Sequence, residues 1–83
     1  MSVGTRLTLL TREGCGLCEE LLAELAALRA REPAIPALEL VDVDSDPALQ
    51  RRWGLKVPVL LLEGALVCSG RLDSPELLRL LRL

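Results

Sequence analysis

The sequence predicts an α/β fold: a four-stranded mixed sheet with helices on both faces and elements in the order β-α-β-α-β-β-α. Three observations predict it. Apolar runs at 6–11, 37–43, 57–62 and 65–69 have strand length. Between the first two, Leu17, Leu21, Leu25 and Leu28 recur at spacings of four, four and three, which is one face of an α-helix. Two cap-plus-proline pairs, Asp46-Pro47 and Ser74-Pro75, mark further helix starts.

Taken in order, "RLTLLT" at 6–11 is short, apolar and Thr-containing, and reads as a strand. "REG" breaks it, with Gly14 as the turn residue. The Leu-spaced helix follows, with Glu20, Glu24 and Arg31 mostly off its apolar face, and Pro33 and Pro36 end it and its loop. "ALELVDV" at 37–43 mixes apolar residues at Leu38, Leu40, Val41 and Val43 with acidic ones, and reads as a second strand. The short helix capped by Asp46 should run over about 47–53, with Gly54 at its C-terminal side. "VPVLLL" at 57–62 is continuously apolar, as a strand buried on both faces is. Glu63-Gly64 is a tight-turn signal, and "ALVCS" at 65–69 returns as a hairpin. Ser74 then caps a last helix whose apolar face is Leu77, Leu78, Leu80 and Leu81. The first strand–helix–strand unit should be a parallel crossover, and the hairpin adds antiparallel strands.

With 83 residues, the default is one domain over 1–83 with one modest core. Composition is 51% hydrophobic and 27% charged, which excludes a disordered chain. Trp53 is the one aromatic residue, so Leu, Val, Ile and Ala must build the core, and the Trp itself is expected to pack on the sheet. Net charge is −2 without a dense Lys/Arg block, so no nucleic-acid partner is expected. No apolar run approaches the roughly 18–20 residues of a membrane helix. "MSVGTRLTLL" lacks a secretory signal pattern, and the expectation is a cytoplasmic monomer without membrane attachment.

In a reducing compartment a close cysteine pair points to catalysis or metal binding more than to a structural staple. Cys15 and Cys18 lie three apart, with Cys15 at the mouth of the first helix and Cys18 one turn inside. The unpaired N–H groups of a helix N-terminus carry partial positive charge and favour a thiolate. Cys15 is therefore the expected exposed nucleophile, and Cys18 the resolving thiol that attacks a mixed disulfide on it. Arg12 favours the thiolate, while Glu13, Glu19 and Glu20 oppose it. A zinc site needs about four ligands; the chain has three cysteines and no histidine, so no metal site within one chain is expected. Cys68, in the returning strand, reads as a small buried apolar residue.

These residues together carry a family resemblance. A strand ending before "CGLC" and a later "KVPVLLL" resemble the thioredoxin/glutaredoxin superfamily over about Leu7 to Leu81. The absence of room for an extra N-terminal strand and helix makes the chain similar to the short bacterial glutaredoxin-like branch, with a thioredoxin-like fold. The resemblance implies a thiol-disulfide oxidoreductase with no tightly bound cofactor, using glutathione as co-substrate. Glutathione or a small reductase, and protein disulfides, would be its partners. It implies a cis Val57-Pro58 bond facing the cysteine pair, with the Val57 backbone pairing the cysteinyl part of glutathione in strand fashion.

The family's Gly-Gly-x-x-Asp segment, which holds the γ-glutamyl end, is matched by Gly70 and Asp73 with Ser69 in place of the first glycine. Asp73 reads equally as a plain helix cap. Arg12, Arg52 and Lys56 are candidate partners for a glutathione carboxylate, or solvated surface charges. Further departures are Gly16 for the family's proline, Leu17 for its aromatic and Lys56 for its threonine. Gly16-Leu17 leaves an apolar rim suited to a protein partner as well as a peptide. The alternatives to the enzyme are a glutathione-ligated iron–sulfur carrier and a binding module that kept the fold and lost the activity; the retained Cys18 favours the enzyme.

Overall fold

The computed structural model describes residues 5–83. Residues 1–4, which begin the expected domain and the segment read for a signal pattern, lie outside the described residues. The elements are β1 (Leu7–Thr11), α1 (Gly16–Arg31), β2 (Leu38–Asp42), a 3₁₀ turn (Val43–Ser45), α2 (Pro47–Trp53), β3 (Val59–Leu62), β4 (Ala65–Ser69) and α3 (Ser74–Leu81). The sheet order is β2-β1-β3-β4. β1 and β2 are parallel, while β3 runs antiparallel to both β1 and β4. This is the predicted order and mixed pairing.

The alternation of side chains along a strand divides the core in two. On one face, Leu7, Leu9 and Leu60 pack with Leu21, Leu25 and Leu28 of α1 and Leu77 of α3. On the other, Leu10, Val59 and Leu61 pack with Val43 and with Trp53 of α2. Each fully buried leucine stabilises the fold by roughly 1.5–3 kcal/mol relative to exposure. Trp53 packs on the sheet as its apolar bulk demands, beneath the Arg52 guanidinium at 4.8 Å from the ring centroid. β3 lies inside the sheet and is buried almost throughout, as its continuous apolar run requires.

The local signals act as their chemistry directs. Gly14 turns the chain into α1 with φ 77°. Asp46 caps α2 by accepting from the Ala48 N–H at 2.8 Å, with Pro47 next to it. Glu63 and Gly64 both take positive φ, as a two-residue hairpin of this twist needs.

Several expectations are corrected. Leu17 is 46% exposed, and Cys18 takes its place on the buried face of α1, because the face turns inward one position later. Leu40 is exposed on the edge strand β2, which has a neighbour on one side only. β2 stops at Asp42, so Val43 is buried from the 3₁₀ turn instead. β3 begins at Val59, two residues after the predicted start. Leu80 is exposed, leaving Leu77, Leu78 and Leu81 to pack α3. Asp73, not Ser74, caps α3: its carboxylate accepts from the Glu76 N–H at 3.1 Å, and Ser74 is already helical. Cys68 is half-buried against the core rather than enclosed, since β4 is the other edge.

Candidate active site at one end of the sheet

Strand register gathers the candidate residues. β1 ends at Thr11 opposite Asp42 of β2, and its Leu10 pairs with Val59 of β3. Val59 in turn pairs with Ser69, the last residue of β4. The turn to Cys15, the segment before β3, the loop after β4 and the loop after β2 therefore leave the same end of the sheet.

Cys15 is the N-cap of α1 and is partly exposed, while Cys18 is 3% exposed. The Cys18 N–H donates to the Cys15 Sγ at 3.1 Å. The Cys15 N–H donates back to the Arg12 carbonyl at 3.2 Å, closing the turn that presents the sulfur. The Cα atoms of the two cysteines are 5.2 Å apart, and their sulfurs are close enough to bond. A cysteine at this position serves as both cap and thiol. One orphan N–H of the first turn, that of Cys18, meets sulfur where a Ser or Asp oxygen is the common partner.

The Val57-Pro58 peptide bond is cis. Pro58 is buried and Val57 half-buried. Two bonds strap this segment to the loop after β4. The Gly70 N–H donates to the Pro58 carbonyl at 2.8 Å, and the Ser69 hydroxyl donates to the Lys56 carbonyl. Gly70 has φ 83°, a conformation that glycine enters without penalty. Ser69, noted in the sequence as a departure from glycine, thus makes a bond that glycine has no atom for. Asp73 follows as the α3 cap, and Lys56 places its amine 5.9 Å from the Trp53 ring centroid.

Arg12 is bound to partners from the loops after β2 and α2. Its Nε and Nη2 donate to the two carboxylate oxygens of Asp44 at 2.8 and 2.9 Å, and its Nη1 donates to the Gly54 carbonyl at 2.8 Å. Gln50 adds a third donor to Asp44 at 2.9 Å. The hydrogen bond from Arg12, helped by Gln50, holds the Asp44 carboxyl below its ordinary range, and the same bond raises the Arg12 pKa. Gly54 is buried in tight quarters: a Cβ there would meet the Gln50 carbonyl oxygen and lie 3.3 Å from Arg12 Nη2. Asp44 and Gln50 were not among the residues singled out from the sequence, and Gly54 was read there only as the residue ending α2, which it does. Asp44 lies 32 residues from Arg12, so no local pattern could have paired them.

Leu55, next to Gly54, is fully exposed, as Leu17 is in part. Burial raises the Cys68 thiol pKa, partly offset by the Asp73 backbone N–H. Among the described residues, no helix is long and apolar enough to cross a membrane.

Comparison with known proteins agrees with this architecture. The glutaredoxin-like domain (DUF836) matches residues 6–82. The solution NMR structure of protein Ne2328 from Nitrosomonas europaea shares 34% identity, with 90% of this chain and 88% of that chain covered and a TM-score of 0.76. The X-ray structure of protein XcR50 from X. campestris shares 36% identity over 92% of this chain and 95% of that chain, with a TM-score of 0.69. No curated protein matches. The fold is thioredoxin-like, its cysteine pair sits at the start of α1, and the chain belongs to the glutaredoxin-like domain (DUF836) family.

Proposed function

We propose that the protein is a thiol-disulfide oxidoreductase in which Cys15 is the nucleophile and Cys18 the resolving thiol. The observation that carries this reading is the unequal placement of two neighbouring sulfurs. Cys15 is partly exposed at a helix N-terminus and accepts the Cys18 N–H at 3.1 Å, while Cys18 is buried one turn behind it. That N–H and the positive end of the helix stabilise negative charge on the Cys15 sulfur.

In the forward direction the Cys15 thiolate attacks one sulfur of a substrate disulfide. A mixed disulfide forms and the other substrate sulfur leaves as a thiolate. Cys18 loses its proton and attacks the Cys15 sulfur, forming the Cys15–Cys18 disulfide and releasing the second substrate thiolate. Two electrons pass to the substrate, and glutathione or a small reductase returns them. No tightly bound cofactor takes part. Such a reductant works where thiols are kept reduced, as in the cytoplasm.

The test is mass measurement of the reduced protein after exposure to a small disulfide. Loss of two hydrogens, mapped to a Cys15–Cys18 bridge, supports exchange. Cys15→Ser should abolish the reaction, and Cys18→Ser should accumulate the mixed disulfide on Cys15. An unchanged mass over hours would sink the reading.

A further inference from the structure

We propose that Asp44 is a specificity-determining residue. By clasping Arg12, it withholds from incoming disulfides the cation nearest in sequence to Cys15, and so disfavours carboxylate-bearing disulfides such as glutathione disulfide against neutral ones. The inference rests on the disulfide-exchange reading above.

The clasp is built from both sides. Arg12 presents Nε and Nη2 to the two oxygens of one carboxylate, the fork geometry in which guanidinium recognises carboxylates most strongly. Asp44 is held ready to receive it. The Asp44 N–H donates to Asp42 Oδ1 at 2.9 Å, the Ser45 hydroxyl donates to the Asp42 carbonyl at 2.7 Å, and Gln50 donates to Asp44 Oδ1 at 2.9 Å. Arg12 sits one turn from the nucleophile, since its carbonyl accepts the Cys15 N–H; residues so joined have Cα atoms within about 7 Å.

A guanidinium at this position is suited to a substrate carboxylate, yet its fork edge already holds one. An incoming carboxylate must displace Asp44, which competes as an intramolecular group at high effective concentration. The affinity of a ligand that needs Arg12 free falls by the fraction of time the clasp is open. A clasp open about one-tenth of the time weakens binding about tenfold. The side chains of Arg12 and Asp44 remain 37% and 36% exposed, so solvent and ligand can reach the pair. Glu13, Glu19 and Glu20 stay exposed around the cysteine turn and add repulsion for an anion.

The experiment compares rates of oxidation of the reduced protein by glutathione disulfide and by the neutral hydroxyethyl disulfide, in wild type, Asp44→Asn, Arg12→Met and the double variant. Wild type should favour the neutral disulfide. Asp44→Asn should raise the ratio of glutathione-disulfide rate to neutral rate by about fivefold or more, and adding Arg12→Met should remove that gain. Arg12→Gln, which removes the charge and keeps a polar side chain, replaces Arg12→Met if the latter does not fold. An unchanged ratio in Asp44→Asn overturns the proposal. So does an equal rise in the Arg12→Met background, which would reveal a long-range charge effect. If neither disulfide oxidises wild type at all, the exchange reading itself fails and this inference with it.

Discussion

The Cys18 amide donates to the Cys15 sulfur at 3.1 Å, so the first cysteine of the pair caps the helix turn that carries the second. The same bond makes the two thiols unequal. Cys15 is held at the open end of α1, and Cys18 is buried on the helix face that also carries Leu21 and Leu25.

Alkylation of the fully reduced protein near neutral pH should follow that inequality. Cys15 should react first. Cys68 should lag, because burial raises its pKa above the ordinary thiol value and leaves little thiolate near neutral pH. Cys18 should be slowest, since burial shields it from reagent. Peptide mapping over a time course gives the order, and raising the pH should speed Cys68 the most. Cys68 modified ahead of Cys15 would contradict the role assigned to Cys15.

Two glycines should respond in opposite directions to alanine. Gly54→Ala drives a Cβ into the Gln50 carbonyl and crowds Arg12, and should lower stability by about 1–3 kcal/mol. Gly16→Ala, at the first position of α1 with open space around its Cβ, should raise stability by about 0.4–1 kcal/mol by restricting the unfolded chain. Urea unfolding of both variants measures the two shifts.

The Arg12–Asp44 pair makes an acid-side prediction. The folded Asp44 carboxyl lies below its unfolded value near 3.8, chiefly through its hydrogen bond from Arg12. Its contribution to stability is therefore complete above the unfolded value and is lost as pH falls through the depressed folded value. The stability difference between wild type and Asp44→Asn should be constant at neutral pH and shrink only below about pH 4. Thermal melts across pH 2–7 read it directly. A difference that persists at the lowest pH would mean the pair acts through shape rather than charge.

Asp73 separates a cap from a ligand. Asp73→Ala removes the oxygen that accepts the Glu76 N–H and should cost about 1 kcal/mol. Asp73→Asn retains a capping oxygen and should stay within a few tenths of wild type. If Asp73 also holds the γ-glutamyl amine of glutathione, Asp73→Asn should weaken reaction with glutathione disulfide while the melt barely moves. Equal reactivity in both proteins would leave Asp73 as a cap alone.

Much of the fold was legible because it depends on neighbours in the chain. Leu21, Leu25 and Leu28 announce α1 by spacing, Asp46-Pro47 and Glu63-Gly64 mark their turns by local chemistry, and the VPVLLL run announces a buried strand. Errors fell where burial depends on what lies across the sheet. Leu40 looked like core, but β2 has only β1 beside it, and Leu80 looked like core, but the face of α3 turns past it. Asp73 and Ser74 are both good caps, and the choice between them lay in where the loop from β4 met the helix.

By itself the sequence determined the order of elements, the placement of Cys15 at a helix mouth with Cys18 a turn behind, and the buried strand within the VPVLLL run, though not where that strand starts. All of these follow from periodicity, backbone restriction and side-chain capping over a few residues. Only the tertiary structure decided what the charged residues do. Arg12 is joined to Asp44 and Gly54, and Ser69 to Lys56, across separations of 32, 42 and 13 residues. Charged and polar side chains have many exposed partners of equal chemistry. The pair that forms is selected by which loops the strand register brings to one end of the sheet.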